Sequence, residues 1–309
     1  MNASVPRTGQ RGAAIVLAMG VAVLAAIAAT AILVSQSTWS RQGELSADHA
    51  QARALTQAGV DWARAILSDD RRTSSADHED EPWAQRLAPV PVDNGELAGF
   101  IEDQQGLFNL NNLAKDGKTD PTQLARYRRL LSILGLPAAL AATLADWIDA
   151  DGEPQAHGGA EDAVYLAQQP PYLAANRPLV DVSELALVRG YGDGVRARLH
   201  PFVTALPRAT TVNVNTAPPE VLAAVIEGLS LDQARALAAK RDRAYFRDMA
   251  DFLRQLPRDH TGSPTGIATS SAYFMVTMRA TIGQAEARGQ VLLMRENTGW
   301  PTIVWRKIP

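Results

Sequence analysis

The side chains best suited to chemistry in this sequence are the carboxylates of an acidic loop near its middle. Glycines between them allow the chain to fold back, so that acidic groups 16 positions apart can meet. Carboxylate oxygens are the ligands that a hard cation such as Ca²⁺ prefers. We therefore predict a Ca²⁺ site formed by five residues: Asp146, Asp149, Asp151, Glu161 and Asp162.

The loop does not match the EF-hand pattern, so a Ca²⁺ site here must have another geometry. With Asp149 as position 1, position 6 is Pro154 instead of glycine, and position 12 is Ala160 instead of glutamate. Zinc is disfavoured, because the chain has no cysteine and only His157 is close in sequence. The alternative is an acidic loop that is simply solvated, which is common.

A second motif resembles the helix-hairpin-helix modules of DNA-uptake receptors. It runs from Val212 through Asn213, Asn215 and Pro218 to the segment Gly228-Leu229-Ser230. In those modules a Gly-x-Gly hairpin offers backbone N–H groups to phosphate.

The binding chemistry of that module is not kept in this sequence. Ser230 replaces the second glycine, and Glu227 and Asp232 would repel a phosphate. Basic residues nearby, at 235, 240, 241, 243 and 247, keep a membrane-anchored DNA receptor open as the alternative function. The formal charge of −3 argues against a general nucleic-acid binder.

Histidines offer no catalytic arrangement. They stand at positions 49, 78, 157, 200 and 260, outside any serine-elbow or His-Glu-x-x-His context, and the sequence has no phosphate-binding loop. We therefore predict that the protein is not an enzyme. The missing cysteines also exclude disulfides and thiolate metal sites.

The element that must carry these motifs is an apolar helix near the N-terminus. Residues 13–34 contain no charge, and a helix of 22 residues spans the hydrocarbon core of a bilayer, about 30 Å thick. Arg7 and Arg11 precede it, which predicts a cytoplasmic N-terminus and an exported C-terminal part. A cleaved signal peptide has the same layout and is the alternative.

The residues after the apolar run favour a membrane anchor over a signal peptide. Residues 35–67 contain no proline, and Leu55, Gly59, Trp62 and Ile66 recur at helical spacing among polar residues. One helix of about fifty residues is therefore predicted, half in lipid and half amphipathic. The polar, proline-containing segment 68–92 is predicted to be a surface loop.

Beyond this loop the sequence predicts an α+β domain. Alternating apolar residues predict five strands in one antiparallel sheet, with Val276, Met278, Val291, Ile303 and Trp305 among its buried residues. The strands are predicted at 96–103, 106–113, 272–282, 287–295 and 302–307.

The residues between 119 and 268 are predicted to be an all-α insertion into the sheet region, with its own core. Its helices are bounded by proline, glycine or capping residues. They are predicted at 121–134, 137–149, 183–189, 218–228, 230–241 and 248–255.

The N-terminal pattern resembles that of type IV pilins and type II secretion pseudopilins. A basic leader ends at Gly12, and the apolar helix starts at Ala13. The resemblance implies cleavage after Gly12 by a prepilin peptidase and N-methylation of Ala13. Most members carry glutamate at the fifth mature position, where this chain has Leu17. That glutamate pairs with the amine of the subunit above, so an apolar residue suits a subunit with nothing above it.

Five separated features together resemble the K-type minor pseudopilins. They are Leu17, the helical insertion, the acidic segment 146–162, the Ser183-Glu184-Leu185 segment and the 212–217 segment. The resemblance implies a pilin-like fold, a subunit at the pseudopilus tip, and bound calcium in the extra domain. It also implies partners: I- and J-type minor pseudopilins, other pseudopilins, prepilin peptidase and the inner-membrane secretion platform, with nucleic acid unlikely.

The predicted organisation therefore has five parts in a single-pass inner-membrane protein of a Gram-negative bacterium. They are a leader (1–12), a transmembrane helix half (13–34), an amphipathic helix half with the loop and first strands (35–118), the inserted α-helical domain (119–268) and the remaining strands (269–309).

Overall fold

The structure, a computed structural model, describes residues 10–257, 264–296 and 299–308. Most of the predicted leader, residues 1–9, lies outside these ranges, as does His260. The fold is α+β, as predicted: a long N-terminal helix, an antiparallel sheet and a large, mainly helical insertion.

Helices and strands of the described residues have these bounds. The α-helices are α1 (Gln10–Thr73), α2 (Pro121–Ile133), α3 (Leu140–Ile148), α4 (Asp162–Tyr165), α5 (Asp193–Leu199), α6 (Pro219–Val225), α7 (Leu231–Arg241) and α8 (Met249–Gln255). The strands are β1 (Leu87–Val92), β2 (Gly95–Asp103), β3 (Phe108–Asn109), β4 (Ala114–Lys115), β5 (Lys118–Thr119), β6 (Val203–Thr204), β7 (Val212–Asn213), β8 (Ile267–Ala268), β9 (Tyr273–Ile282), β10 (Ala285–Met294) and β11 (Thr302–Lys307). Short 3₁₀ helices occupy Pro82–Ala84, Gln104–Gly106, Leu110–Leu113, Val182–Leu187 and His200–Phe202.

The helix α1 is continuous, which confirms the prediction of one long helix. Within the described residues, Gly12–Thr73 is the one helix long and apolar enough to cross a membrane, with a mean hydropathy of 2.6 in its most apolar window. None of that window is buried in the protein, and Leu17 and Leu24 are exposed. Apolar side chains without a protein partner over this length are explained by lipid.

The C-terminal half of α1 packs on one face of a five-stranded antiparallel sheet with the order β1-β2-β9-β10-β11. Val60, Ala63 and Leu67 of the helix form a core with Val276 and Val291, among others. Nearer the apolar segment of the helix, Ala52 packs in a second small core at the other end of the strands. The sheet therefore covers about four turns of α1.

The insertion leaves the sheet at the end of α1 that is far from the apolar segment. Asp103, the last residue of β2, is the register partner of Phe274 in β9, and Phe274 packs in the same core as Leu67. Leu67 lies 33 residues beyond Val34, or about 50 Å along the helix. All residues between 104 and 272 thus lie between two neighbouring strands, whereas the predicted domain limits at 119 and 268 stay a prediction.

The insertion has its own core, as its size requires. Tyr127, Leu144, Trp147 and Leu222 are buried there, and Leu134 is partly buried against them. The predicted helices are confirmed, except that the one at 183–189 is a 3₁₀ helix. The helices α4 and α5 were not predicted.

Capping side chains begin these helices where the sequence indicated. Asp120 Oδ1 accepts hydrogen bonds from the backbone N–H groups of Thr122 and Gln123 at the start of α2. Ser230 and Gln233 form a capping box on α7. Such contacts satisfy the free N–H groups of the first turn.

The prediction that 68–92 is a surface loop was wrong. The helix α1 runs on to Thr73, Trp83 is buried in the sheet core, and 87–92 form the edge strand β1. Proline cannot donate a hydrogen bond to a neighbouring strand, so Pro89 and Pro91 led to the prediction of a loop. A strand that contains them is possible at the edge of a sheet, where β1 lies.

Two other predictions of strand structure were also wrong. The segment 106–113 does not join the sheet; it is the two-residue strand β3, paired in parallel with β6, and then a 3₁₀ helix. Its asparagines are buried because they bind backbone groups: Asn111 donates to the carbonyls of Leu179 and Leu206. In β11, Ile303 is exposed and Trp305 only half-buried, next to a register shift.

Candidate cation site

Three of the five predicted carboxylates come together in the insertion. Asp149, Asp151 and Glu161 each offer an oxygen, and these atoms lie within 4.8 Å of one another. Asp149 stands at the C-terminal end of α3 and Glu161 directly before α4. The loop between the two helices brings Asp151 alongside them.

Three carboxylate oxygens of this group are buried without hydrogen-bond partners among the described residues. Both carboxylate oxygens of Glu161 and Oδ1 of Asp149 have no hydrogen-bond donor among the described residues. The other oxygen, Asp149 Oδ2, accepts from the Thr119 hydroxyl at 2.8 Å. Buried carboxylates without donors are costly unless a cation compensates them.

Asp146 accepts backbone hydrogen bonds that fold the loop, and its predicted part in the cation site stays a prediction. Its Oδ2 accepts from the N–H of Ala160 at 2.7 Å, and its Oδ1 accepts from the N–H of Gln155 at 3.1 Å. A Cβ on Gly159 would lie 2.4 Å from Oδ2, so only glycine fits there. Asp146 therefore fixes the turn that presents Glu161.

Asp162 also lies outside the converging group. It begins α4, and its Oδ1 accepts from the N–H of Ala174 at 2.9 Å. The sequence predicted the acidic set but could not divide it into residues that fold the loop and residues that face one point.

The electrostatics of the three carboxylates favour a positive ligand. Burial raises the pKa of Glu161 to about 7, with a further increase from the charges of Asp146, Asp149 and Asp151. Burial raises the pKa of Asp149 to about 6, although the hydrogen bond from Thr119 lowers it. A divalent cation would relieve both the burial and the mutual repulsion.

The residues present fit Ca²⁺ by their donor chemistry. They supply only oxygen, they carry up to three negative charges, and Asp151 keeps the group open to solvent. Ca²⁺ takes six to eight oxygen ligands, so backbone carbonyls or water would complete its shell. When bound, the ion would tie the end of α3 to the start of α4.

A second acidic group was missed by the sequence analysis. Asp70, Asp77 and Glu81 lie together and buried, where α1 meets the connection to the sheet. Arg295, which directly follows β10, donates to Asp70 Oδ2 at 2.6 Å and also to Asp77. A guanidinium thus already occupies this group. Its members lay in the segment predicted to be a loop.

The hairpin between α6 and α7 has no free anion-binding arrangement at its capping side chain. The Ser230 hydroxyl accepts the N–H of Gln233, and Asp232 pairs with Arg235 at 3.1 Å in the first turn. The helix start thus uses its own side chains where a DNA-binding module would use phosphate.

The remaining predicted site residues lie on the exposed surface of α1. A Cβ on Gly12 would meet no described atom outside its own helix within 4 Å, and Ala13 and Leu17 are exposed. Their proposed roles concern processing and assembly.

A lipid-length helix that continues onto an antiparallel sheet, with a large domain set between two neighbouring strands, defines a membrane-anchored pseudopilin. Two family models described as type II secretion system, protein K, match residues 106–208 and 212–268. The chain belongs to the type II secretion system protein K family.

Relatives match along nearly the whole chain. The type II secretion system protein K of Pseudomonas aeruginosa is 37% identical, covering 93% of this chain and 88% of that protein. The protein K of Klebsiella pneumoniae is 33% identical, covering 93% of both. A solved chain from the GspK-GspI-GspJ complex of enterotoxigenic Escherichia coli is similar in structure, with a TM-score of 0.75 and 28% identity over 88% of this chain and 99% of that one.

Proposed function

We propose that this minor pseudopilin stands at the tip of the type II secretion pseudopilus, where it initiates and caps assembly. The observation that carries the proposal is the place of the insertion, which leaves the sheet about 50 Å beyond the apolar segment. A domain at the membrane-distal end of the helix would obstruct the surface on which another subunit would be added.

Leu17 supports the same position. A glutamate in the membrane requires a partner, which in a pilin filament is the amine of the subunit above. A subunit at the tip has no such neighbour, and this chain has an apolar side chain there. Cleavage after Gly12 and methylation of Ala13 are part of the proposal, with the N-terminus cytoplasmic before cleavage and the sheet and insertion periplasmic.

The proposed partners are the I- and J-type minor pseudopilins. The similar solved chain is part of a GspK-GspI-GspJ complex, and this chain covers 99% of it. Prepilin peptidase, the other pseudopilins and the inner-membrane platform are partners under the same proposal. The proposed ligand is Ca²⁺, held by Asp149, Asp151 and Glu161.

The capping proposal is tested by replacing residues 104–272 with a short glycine-containing turn. Asp103 and Phe274 are already register partners, so a hairpin turn can join β2 to β9. We expect the variant to enter the membrane but to lose initiation of pseudopili and secretion. Pseudopilus number and length, counted by electron microscopy, are the measurement.

Folding of the shortened chain must be checked separately, because Arg295 and Asp77 lose Ser271 as a neighbour. Protease resistance of the α1–sheet unit provides this control. Normal numbers of pseudopili of normal length, formed by a folded variant, would contradict the capping role.

A further inference from the structure

The insertion and the α1–sheet unit share little apolar contact. Among the described residues, the large core of the insertion and that of the α1–sheet unit have no member in common. Between them, Leu206 of the insertion packs on Tyr273 and Leu292 of the sheet. Two units joined by a small interface move relative to one another unless other contacts prevent it. The orientation of the insertion therefore depends on contacts of another kind.

Two contacts at the surface between the units constrain the orientation weakly. Lys307 of β11 pairs with Asp181 of the insertion at 3.0 Å, but its side chain is 51% exposed, and exposed ion pairs contribute little. Tyr245 of the insertion stacks on His78 of the connection, with the ring centres 3.7 Å apart. Stacked rings tolerate sliding over one another.

Asp103, the last residue of β2, binds both units through one carboxylate. Its Oδ2 accepts from the Thr216 hydroxyl at 2.6 Å and from the Asn213 side-chain amide at 2.9 Å, both in the insertion. The same oxygen accepts from the Ser271 hydroxyl at 2.7 Å, where the chain returns to the sheet. Its Oδ1 accepts from the N–H of Gln105 at 2.8 Å, where the chain leaves the sheet. Four donors from three separate segments thus meet on one side chain.

The surroundings of Asp103 leave little room for the insertion to pivot. The Asn213 amide also donates to the Asp77 carbonyl oxygen at 3.1 Å, and Asp77 Oδ2 accepts from the N–H of Ser271 at 2.7 Å. A Cβ on Gly106 would lie 2.8 Å from Thr216 Oγ1 and 3.0 Å from the Thr216 carbonyl oxygen. Hydrogen bonds to a carboxylate are stronger than those between neutral groups, and a satisfied polar network specifies one arrangement.

We propose that Asp103 is the positioning residue that holds the insertion in one orientation on the sheet, with Thr216 and Asn213 as the residues through which the insertion is held. This role accounts for polar side chains of the segment 212–217, which are not part of the cation site. Its consequence for assembly rests on the proposed function, because a domain that caps a filament must stay over the end of α1.

Double electron–electron resonance on the full-length chain in detergent tests the orientation. The chain has no cysteine, so Arg288→Cys on the sheet and Asp232→Cys on α7 provide the two sites for spin labels. Their side chains are 73% and 91% exposed, so labels there disturb no core. We expect one narrow distribution of distances between the labels. Asp103→Asn, which replaces an acceptor oxygen by a donating NH₂ group, should widen that distribution.

Thr216→Val is the milder second variant, and it decides the question if Asp103→Asn does not fold. It removes one donor to Asp103 from the side of the insertion and keeps the branched shape of the side chain. We expect it to widen the distribution as well. Thr210→Val is the matched control, because the Thr210 hydroxyl accepts from Asn109 Nδ2 at 3.2 Å, within the insertion. The control should keep the narrow distribution.

Circular dichroism shows which of these variants are folded. A narrow distribution at the wild-type distance in the folded Asp103→Asn and Thr216→Val chains would overturn the inference, and so would a broad distribution in the labelled chain without either substitution.

Pseudopilus formation in cells that produce the folded variants separates this inference from the tip function. We expect fewer pseudopili wherever the distribution is widened. Normal pseudopili together with a widened distribution would contradict the consequence for capping and leave Asp103 as the positioning residue. Lost pseudopili with a narrow distribution would overturn the positioning role and leave the tip function standing.

Discussion

The environment of the Glu161 carboxylate in the folded protein suits a ligand of a cation. Both of its carboxylate oxygens are buried without donors, and the nearest charges are carboxylates that raise its pKa to about 7. In calcium-free protein this arrangement opposes folding at neutral pH. With calcium bound, Glu161 would stabilise the folded protein instead, because the same oxygens would become ligands of the ion.

The variant Glu161→Gln tests whether Glu161 destabilises the calcium-free protein and stabilises the calcium-bound one. Without calcium we expect it to be more stable than the wild type at pH 8, by on the order of 1–3 kcal/mol, because an unpaired buried charge is removed. With calcium we expect it to lose most of the stabilisation that the ion gives the wild type, about 2.7 kcal/mol at 100 times the Kd. Thermal unfolding in chelator and in calcium measures both effects.

Asp193→Asn is the matched control, because its carboxylate is 95% exposed and lies outside the acidic loop. It should change stability equally in chelator and in calcium. A Glu161→Gln protein that is destabilised by the same amount in both buffers would indicate a packing defect and contradict the cation site.

The sequence predicted which carboxylates lie in the acidic loop, but not which of them converge on one point and which of them fold the loop. Spacing placed five carboxylates in one loop, and three of them face one point. Asp146 instead folds the loop because the N–H groups of Gln155 and Ala160 reach it, and that depends on the path of the chain around Gly159. Backbone hydrogen bonds of this kind leave no periodic signal in a sequence.

At the scale of elements, the contact between α1 and the sheet depends on a glycine. A Cβ on Gly59 would lie 3.1 Å from the Met278 sulfur and 3.4 Å from the methyl carbons of Leu97. The helix can therefore approach β2 and β9 closely only where it has no side chain.

Gly59→Leu should separate the helix from the sheet. We expect a loss of about 1–3 kcal/mol in the free energy of unfolding, the usual cost of an overfilled core. Gly43→Leu is the control, because a Cβ on Gly43 would meet no described atom outside the helix within 4 Å. Thermal unfolding of the detergent-solubilised chain measures the difference; equal stability of the two variants would contradict the close contact.

Regular periodicity explains which elements were predictable. The long helix, the strands β2, β9, β10 and β11, and the capped helices of the insertion match apolar spacing and capping residues. β1 was hidden by Pro89 and Pro91, and the asparagine-rich segment 106–113 alternated like a strand. Its asparagines face carbonyls that are distant in sequence, which no local pattern reveals.

At the scale of the whole molecule, the buried group around Arg295 joins α1, the connection and the sheet. Asp70 comes from the helix, and Asp77 and Glu81 come from the connection. One guanidinium pairs with two of these three carboxylates, Asp70 and Asp77. Burial, with an added effect of Glu81, raises the pKa of Asp70 to about 7, and burial also raises that of Asp77.

This group predicts stability that rises as the pH falls. The folded Asp70 carboxyl gains its proton as the pH falls through about 7, whereas the unfolded one stays ionised down to 3.8. Its contribution is therefore complete below 3.8 and is lost as the pH rises through 7, with a slope of up to about 1.4 kcal/mol per pH unit.

Denaturant unfolding between pH 6 and pH 8, in saturating calcium, compares the wild type with Asp70→Asn. The free energy of unfolding of the variant should depend less on pH than that of the wild type. Asp69→Asn, exposed on the same helix, should keep the wild-type profile. Parallel profiles for wild type and Asp70→Asn would contradict the raised pKa.

The register pair Asp103 and Phe274 has a consequence for the origin of this architecture. Because the insertion begins and ends on adjacent strands, its two chain ends emerge side by side, as they would from an ordinary hairpin turn. An ancestral pilin could thus have acquired the whole domain in one recombination event at a surface turn, without rethreading its sheet. The same junction offers protein engineers a site for grafting foreign domains onto a pilin.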